Sequence, residues 1–244
     1  MNIIILTSED CFREGQYRIY DERFVHIKTI LKSENNDIIE IGILNHARGK
    51  GKISEITDNY VIIEIIELFK TSKSDCKIEI ICALPRPQTL KKVLLTCSTM
   101  GVSKLHLIKS EKVEKSYFHS PLLKEENYTK YLIEGLSQGK RTIPPKVFIH
   151  NKFKMFFETS FYTSDKNNIY LLAHPNTNNY LNKFNVANRK TIVVAIGPEG
   201  GWNDFEVGLM QEKGFELFKI SESILRVENA VTAALSQIEL VGNV

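Results

Sequence analysis

The run Ile192-Val193-Val194-Ala195-Ile196, followed at once by Gly197-Pro198-Glu199-Gly200-Gly201, constrains this chain more than any other stretch. Five consecutive apolar and mostly β-branched residues read as a strand buried on both faces, as in a parallel sheet covered by helices. A glycine-rich loop at the carboxyl end of such a strand lets backbone amides approach a ligand, and the crevice beyond those strand ends is where open α/β sheets bind small molecules. Taken alone, the loop reads equally well as a tight strand-to-helix turn. Asn203 and Glu206 have the spacing of a capping box and Gly214 stands where a helix would close, so a helix is expected over 204–213.

A second unit of the same kind follows. Residues 215–220 read as a strand, Ser221-Glu222-Ser223-Ile224-Leu225-Arg226 as a loop, and Glu228, Val231, Ala234, Leu235 and Ile238 recur at helical spacing in a closing helix. Two neighbouring strand ends would thus present two loops to one crevice. Upstream, strands at 78–84, 104–108, 146–150 and 169–173 alternate with helices at 89–100, closed by Gly101, and 122–137. That alternation predicts a mostly parallel α/β sheet, with the Asn-rich stretch 176–188 as a loop. Before it, strands at 2–7, 37–43, 52–56 and 60–68, a helix at 21–31 and a turn at Gly49-Lys50-Gly51 predict a small barrel-like β domain. The polar stretch 71–75 separates the two patterns, giving one domain over 1–72 and a second over 73–244.

Overall charge points to no partner, since 32 basic residues face 29 acidic ones, but its distribution is uneven. Residues 1–72 hold 9 basic against 12 acidic residues, 73–154 hold 16 against 7, and 155–244 hold 7 against 10. A basic middle segment is a plausible footprint for a phosphate backbone, as well as an ordinary solvated surface. Cys11, Cys76, Cys82 and Cys97 lack CxxC spacing and clustered histidines, so they read as thiols, at least partly buried, and imply neither zinc nor disulfides. No run reaches the roughly 18 apolar residues of a spanning helix, and the apolar amino terminus lacks a basic leader, so a soluble cytoplasmic protein is expected. A nucleotide-dependent oxidoreductase is disfavoured, because no GxGxxG with its acidic follower and no Walker loop is present.

Gly197-Pro198-Glu199-Gly200-Gly201 together with Ile224-Leu225-Arg226-Val227-Glu228-Asn229-Ala230 resembles the GPEGG and ILRxExA signatures of the RsmE family, SPOUT methyltransferases that modify N3 of a uridine in 16S ribosomal RNA. Glu134, Gln138 and Arg141 match an ExxxQxxR helix, with Pro144 just after it, and the likeness runs over the whole chain. It implies a PUA-like RNA-binding domain ahead of a SPOUT domain, with a carboxy-terminal trefoil knot whose loops lie at 171–174, 196–201 and 220–226. It further implies that S-adenosylmethionine binds there in a bent form and that the enzyme is a homodimer packing through its last helix, near Val231 and Leu235. The donor site would comprise Leu172, Ala173, His174, Ile196, Gly197, Gly200, Gly201, Ile220, Ser221, Ile224, Leu225 and Arg226. RNA would meet Arg23, His26, Arg86, Lys92, Lys112, Lys115 and Arg141, the stretch Ser110-Glu111-Lys112 approximating the SER segment of the family.

The chemistry asks for charge control at the acceptor. N3 of uracil is a poor nucleophile until its imide proton leaves, so a guanidinium beside a carbonyl oxygen and a proton acceptor are needed. Arg226 is the candidate for the first role. Glu199 is the candidate for the second, although a carboxylate there would also suit the amino end of the following helix. Ser223, Asn229, Thr99-Met100 and Arg86 depart from the family pattern, which bears on the target nucleotide. A different RNA target, or a non-catalytic RNA-binding assembly factor, therefore stays open beside the RsmE reading.

Overall fold

A computed structural model of the chain describes residues 2–69, 76–160, 167–186 and 189–242. The domain boundary expected at 72/73 lies outside the described residues. Internal packing divides the chain into two units, one drawn from 1–73 with 133–144 and the other from 74–132 with 145–244.

The first unit is a curled, six-stranded mixed sheet in the order β1-β4-β5-β6-β3-β2. Its strands are β1 (Ile4–Leu6), β2 (Cys11–Arg13), β3 (Gln16–Ile19), β4 (Ile38–Ile43), β5 (Arg48–Ile56) and β6 (Val61–Leu68). Only the β1–β4 pair is parallel. The β2–β3 hairpin has no counterpart in the expected strands, because its strands are short and largely polar; it turns at Gly15, whose φ of 74° suits a residue without Cβ. Asp21 caps α1 (Glu22–Val25) by accepting the Arg23 amide at 3.0 Å, and the next turn, His26–Ile30, is π-helical, so the helix expected over 21–31 forms in two parts. Ile4, Leu6, Ile19, Ile27, Ile41, Ile53 and Ile63 make the core, while Ile3 and Ile5 on the other face of β1 pack with Leu136.

The turn expected at Gly49-Lys50-Gly51 is displaced. It falls at Asn45, whose φ is 60°, with the Ile43 amide donating to the Ala47 carbonyl at 2.9 Å. Gly49 and Gly51 instead lie inside β5, where a Cβ would meet the Glu67 carbonyl oxygen at 2.0 Å and Ile63 Cγ2 at 2.5 Å. These glycines permit close backbone approach, which the sequence pattern alone does not distinguish from a turn.

In the second unit β7 (Lys77–Ala83), α2 (Pro87–Thr99), β8 (Lys104–Ile108), the first half of α3 (Glu125–Gly139), whose residues from 133 on belong to the first unit, β9 (Lys146–His150) and α4 (Phe153–Met155) precede β10 (Asn168–Ala173) and β11 (Thr191–Ile196). Then come α5 (Asp204–Glu212), β12 (Glu216–Phe218) and α6 (Val227–Gly242). The sheet order is β12-β10-β11-β7-β8-β9, and every pairing is parallel. All six β11 residues are buried, as the apolar run predicts. Leu172 is level with both Ala195 and Leu217, so the carboxyl ends of β10, β11 and β12 form one rim.

Val231, Ala234, Leu235 and Ile238 of α6 are completely buried in the core of this unit. The expectation that the faces around Val231 and Leu235 meet a second copy is therefore corrected: the chain's own sheet and helices cover them. Cys82 and Cys97 are buried and burial pushes both thiols up, Cys97 to about 12, whereas Cys11 is exposed rather than partly buried. Among the described residues no helix is long and apolar enough to cross a membrane.

Candidate active site

The rim formed by β10, β11 and β12 opens into a cavity of about 370 Å³. Three loops enclose it. Ala173 ends β10 and is followed by His174, Pro175 and Asn176; after β11 comes the stretch 197–202; after β12, Lys219, Ile220, Ser221, Ser223, Ile224 and Leu225. Val227 and Ala230 of α6 close the remaining side.

The middle loop is built by local rules. Gly201 donates its amide to the Pro198 carbonyl at 2.8 Å, and its φ of 70° turns the chain toward α5. Gly197 stands against Trp202, since a Cβ on it would lie 3.1 Å from Trp202 Nε1. Trp202 is 6% exposed, packs on Phe153, and its Nε1 is a buried donor without a partner among the described residues.

The expected capping box forms at the start of α5 and reaches further than the motif implies. Glu206 donates its amide to Asn203 Oδ1 at 2.8 Å, and Glu206 Oε2 accepts the Asn203 amide at 3.0 Å. The second carboxylate oxygen accepts the amide of Glu111 at 2.8 Å, and Lys112 donates to the Gly200 carbonyl at 2.8 Å. One 2%-exposed carboxylate thus satisfies two backbone donors and ties the Ser110-Glu111-Lys112 segment beside the glycine loop. Glu206→Ala leaves both amides without an acceptor. We expect a loss of about 2–3 kcal/mol, seen in calorimetry as a fall in melting temperature of roughly 4–12 °C.

The outer wall is laced from both sides. The Lys219 amide donates to the Asn179 carbonyl at 2.7 Å, the Tyr180 hydroxyl donates to Glu222, and Gln237 of α6 donates to the Ile220 carbonyl at 2.8 Å. His174 donates its amide to the Phe218 carbonyl at 3.0 Å and accepts the Asn176 amide on Nδ1 at 3.2 Å. Burial lowers its pKa against the opposing pull of Asp204 and favours the neutral ring, with its proton on Nε2.

Of the residues expected at a donor site, Ala173, His174, Ile196, Gly197, Gly200, Gly201, Ile220, Ser221, Ile224 and Leu225 line the cavity. Leu172 is fully buried in β10, and Arg226 stands outside the lining, although the loop it closes contributes to it. Ile224 is 81% exposed and forms a lip rather than an inner wall. Glu199, also in the lining, is exposed at the loop tip. Pro175, Asn176, Trp202 and Lys219 were not anticipated. Trp202 left one usable signal, as the only tryptophan in the chain and the residue directly after the glycine loop.

Arg226 is exposed, its carbonyl accepts the Ala230 amide at 2.8 Å, and its guanidinium makes no hydrogen bond among the described residues. Two residues on, Glu228 would be raised by burial, but its own backbone amide, the Lys92 ammonium 3.2 Å away and the Arg226 charge hold it below the ordinary value. Lys92 is thereby paired, while Arg86 donates Nε to Thr89 Oγ1 at 3.2 Å and Lys115 is exposed.

In the first unit, Arg23 spends all five of its donors on Asp10, Asp21 and the Ile5 carbonyl. Burial would lower its pKa, but the two carboxylates raise it. Arg23 is a structural tie, and a phosphate could engage it only by breaking that network. His26 is half-buried at the start of the π-helical turn, and Arg141 is exposed.

The model of the RNA methyltransferase domain family matches residues 72–239. The ribosomal RNA small subunit methyltransferase E of Treponema pallidum is 29% identical over 96% of this chain and 89% of its own. The ribosomal RNA small subunit methyltransferase E 1 of Borreliella burgdorferi is 28% identical over 96% of this chain and 95% of its own. Among solved structures, the ribosomal RNA small subunit methyltransferase E of Neisseria gonorrhoeae, bound to S-adenosylmethionine, superimposes with a TM-score of 0.78 at 18% identity over 98% of both chains. That last likeness speaks to the fold alone.

Proposed function

From the premise that this chain belongs to the RsmE family of RNA methyltransferases, we propose that it transfers the methyl group of S-adenosylmethionine to N3 of a uridine in 16S ribosomal RNA. The observation that carries this reading is the cavity at the level carboxyl ends of β10, β11 and β12. Its glycine wall and apolar lining fit a ligand that presents hydrogen-bonding edges and an apolar body. Gly197, Glu199 and Gly200 would offer backbone donors, and Ile196, Ile220 and Leu225 would supply the apolar walls. His174, neutral with its proton on Nε2, adds a side-chain donor.

S-adenosylmethionine, when bound, supplies a methyl group already activated by its sulfonium. The chain's task is then to hold the acceptor in line and to favour its anion. Arg226, with no hydrogen bond of its own among the described residues, would lie against a uracil carbonyl oxygen and stabilise the negative charge that develops as N3 loses its proton. Glu199, exposed at the loop tip, would accept that proton. Arg86, Lys112 and Lys115 would hold the RNA backbone beside the glycine loop, with Lys92 joining on release from Glu228. In the first unit His26 and Arg141 remain RNA candidates, and Arg23 supports them by fixing the β1–α1 region. A ribosomal substrate implies work in the cytoplasm.

The position of β10 between β11 and β12, and the bonds joining 174–180 to 218–222, support the knotted path that the resemblance implies. A homodimer belongs to the same reading, supported by Leu240 of α6, a large apolar side chain that is 79% exposed. Two domains, 1–72 for gripping RNA and 73–244 for methyl transfer, complete it.

The deciding experiment is methyl transfer to 16S ribosomal RNA, read by nucleoside mass spectrometry. The wild type should produce N3-methyluridine. Arg226→Ala should lower kcat by about 10²–10³-fold while donor affinity measured by calorimetry stays within about twofold. Donor binding without any N3-methyluridine would defeat the uridine assignment and leave another target, or an assembly factor, as the better reading.

A further inference from the structure

The first unit carries a cation held among aromatic rings that nothing so far employs. The Arg18 guanidinium carbon lies 4.3 Å from the Phe12 ring centre and 5.1 Å from that of Tyr60. Tyr20 meets Tyr60 edge-on, with ring centres 6.1 Å apart, and is 62% exposed. The residues come from β2, from β3 and the position just after it, and from the β5–β6 turn, so the hairpin that escaped the sequence pattern is what assembles them.

Charge sets this arginine apart from Arg23. Among the described residues Arg18 has no carboxylate in salt-bridge range; its Nε is buried without a partner, and its one hydrogen bond, Nη1 to the Tyr20 hydroxyl, is long at 3.5 Å. The nearby Glu55 carboxylate instead accepts the Tyr60 hydroxyl at 3.0 Å. A guanidinium oriented by two rings, with Glu55 acting on it only from beyond salt-bridge range, is prepared for an anion, and cation–π contact leaves its donors available. The adjacent ring of Tyr20 offers an open face. An anion site two residues from an exposed aromatic ring matches one nucleotide, phosphate and base, better than it matches a lone carboxylate.

We propose that Phe12, Arg18, Tyr20 and Tyr60 receive one unpaired RNA nucleotide, with its base stacked on Tyr20 and its phosphate on Arg18. This rests on the reading of RNA as the substrate. The excess of acidic residues over 1–72 disfavours a long phosphate track there, so the contact is local and governed by stacking.

The test is fluorescence anisotropy with a short, uridine-only single-stranded RNA over a salt series. Tyr20→Ala should weaken binding about tenfold, and Tyr20→Phe should restore it. Arg18→Gln should weaken binding and reduce the slope of log affinity against log salt by about 0.7, the share of one single-strand phosphate. Melting temperature and S-adenosylmethionine titration should match the wild type in all three variants. RNA affinity unchanged in Tyr20→Ala and Arg18→Gln overturns the nucleotide site and leaves methyl transfer standing, as does an Arg18→Gln slope equal to wild type. A wild type that titrates with S-adenosylmethionine yet does not bind this RNA also overturns it. Failure of the donor titration itself would instead strike the methyltransferase reading.

Discussion

Gly197→Trp should weaken S-adenosylmethionine binding by at least about a hundredfold, or ~2.7 kcal/mol, in a calorimetric titration. A Cβ at this position already lies 3.1–3.3 Å from three atoms of the Trp202 indole, so a second indole must either displace that ring or occupy the cavity that both residues line. Overpacking of this kind forces either the wall or the entering group to move. Gly197→Ala tests the grading, because a methyl group needs Trp202 to yield by only a few tenths of an ångström and should cost much less. Melting curves of both variants separate a blocked cavity from a broken fold. A tryptophan variant that stays folded and titrates like the wild type would remove the cavity as the donor site.

Gly49→Ala should be the most damaging single methyl group in the first unit, lowering stability by about 2–3 kcal/mol. The added Cβ would fall 2.0 Å from the backbone oxygen of Glu67 and 2.9 Å from Leu68 Cδ2, and a backbone oxygen in a paired strand cannot rotate away as a side chain can. Gly15→Ala is the informative comparison. Its positive φ imposes strain of about 1–2 kcal/mol, but nothing lies within 4 Å of the new methyl group. Differential scanning calorimetry of the two proteins should show the larger drop for Gly49→Ala. The reverse order would mean that β5 and β6 part easily at this register.

The comparison of Gly49 with Gly197 shows where a sequence speaks and where it falls silent. Both glycines follow apolar or alternating stretches, and both read as turn signals. At Gly197 that reading is correct, since an uninterrupted apolar strand precedes it and a capping box follows, and both are set by neighbours in the chain. At Gly49 it fails, because what requires a glycine is the carbonyl of Glu67, eighteen positions away. Nothing local to residues 45–51 records that approach.

The sequence by itself determined the buried strand β11, the capped helix α5, the closing helix α6 and the parallel character of their sheet. Hydrophobic period and capping chemistry act over three or four residues and therefore leave a local trace. Tertiary structure decided the rest of the site: which strand lies between β11 and β12, that the free oxygen of Glu206 reaches Glu111, that Lys112 meets Gly200, and that the indole of Trp202 is buried with its N–H unanswered among the described residues. It likewise turned Arg23 inward onto two aspartates and left Arg18 among rings with no carboxylate of the described residues in salt-bridge range. Those outcomes depend on contacts between distant segments, where a charge or a ring is equally compatible with many neighbours until the backbone path chooses among them.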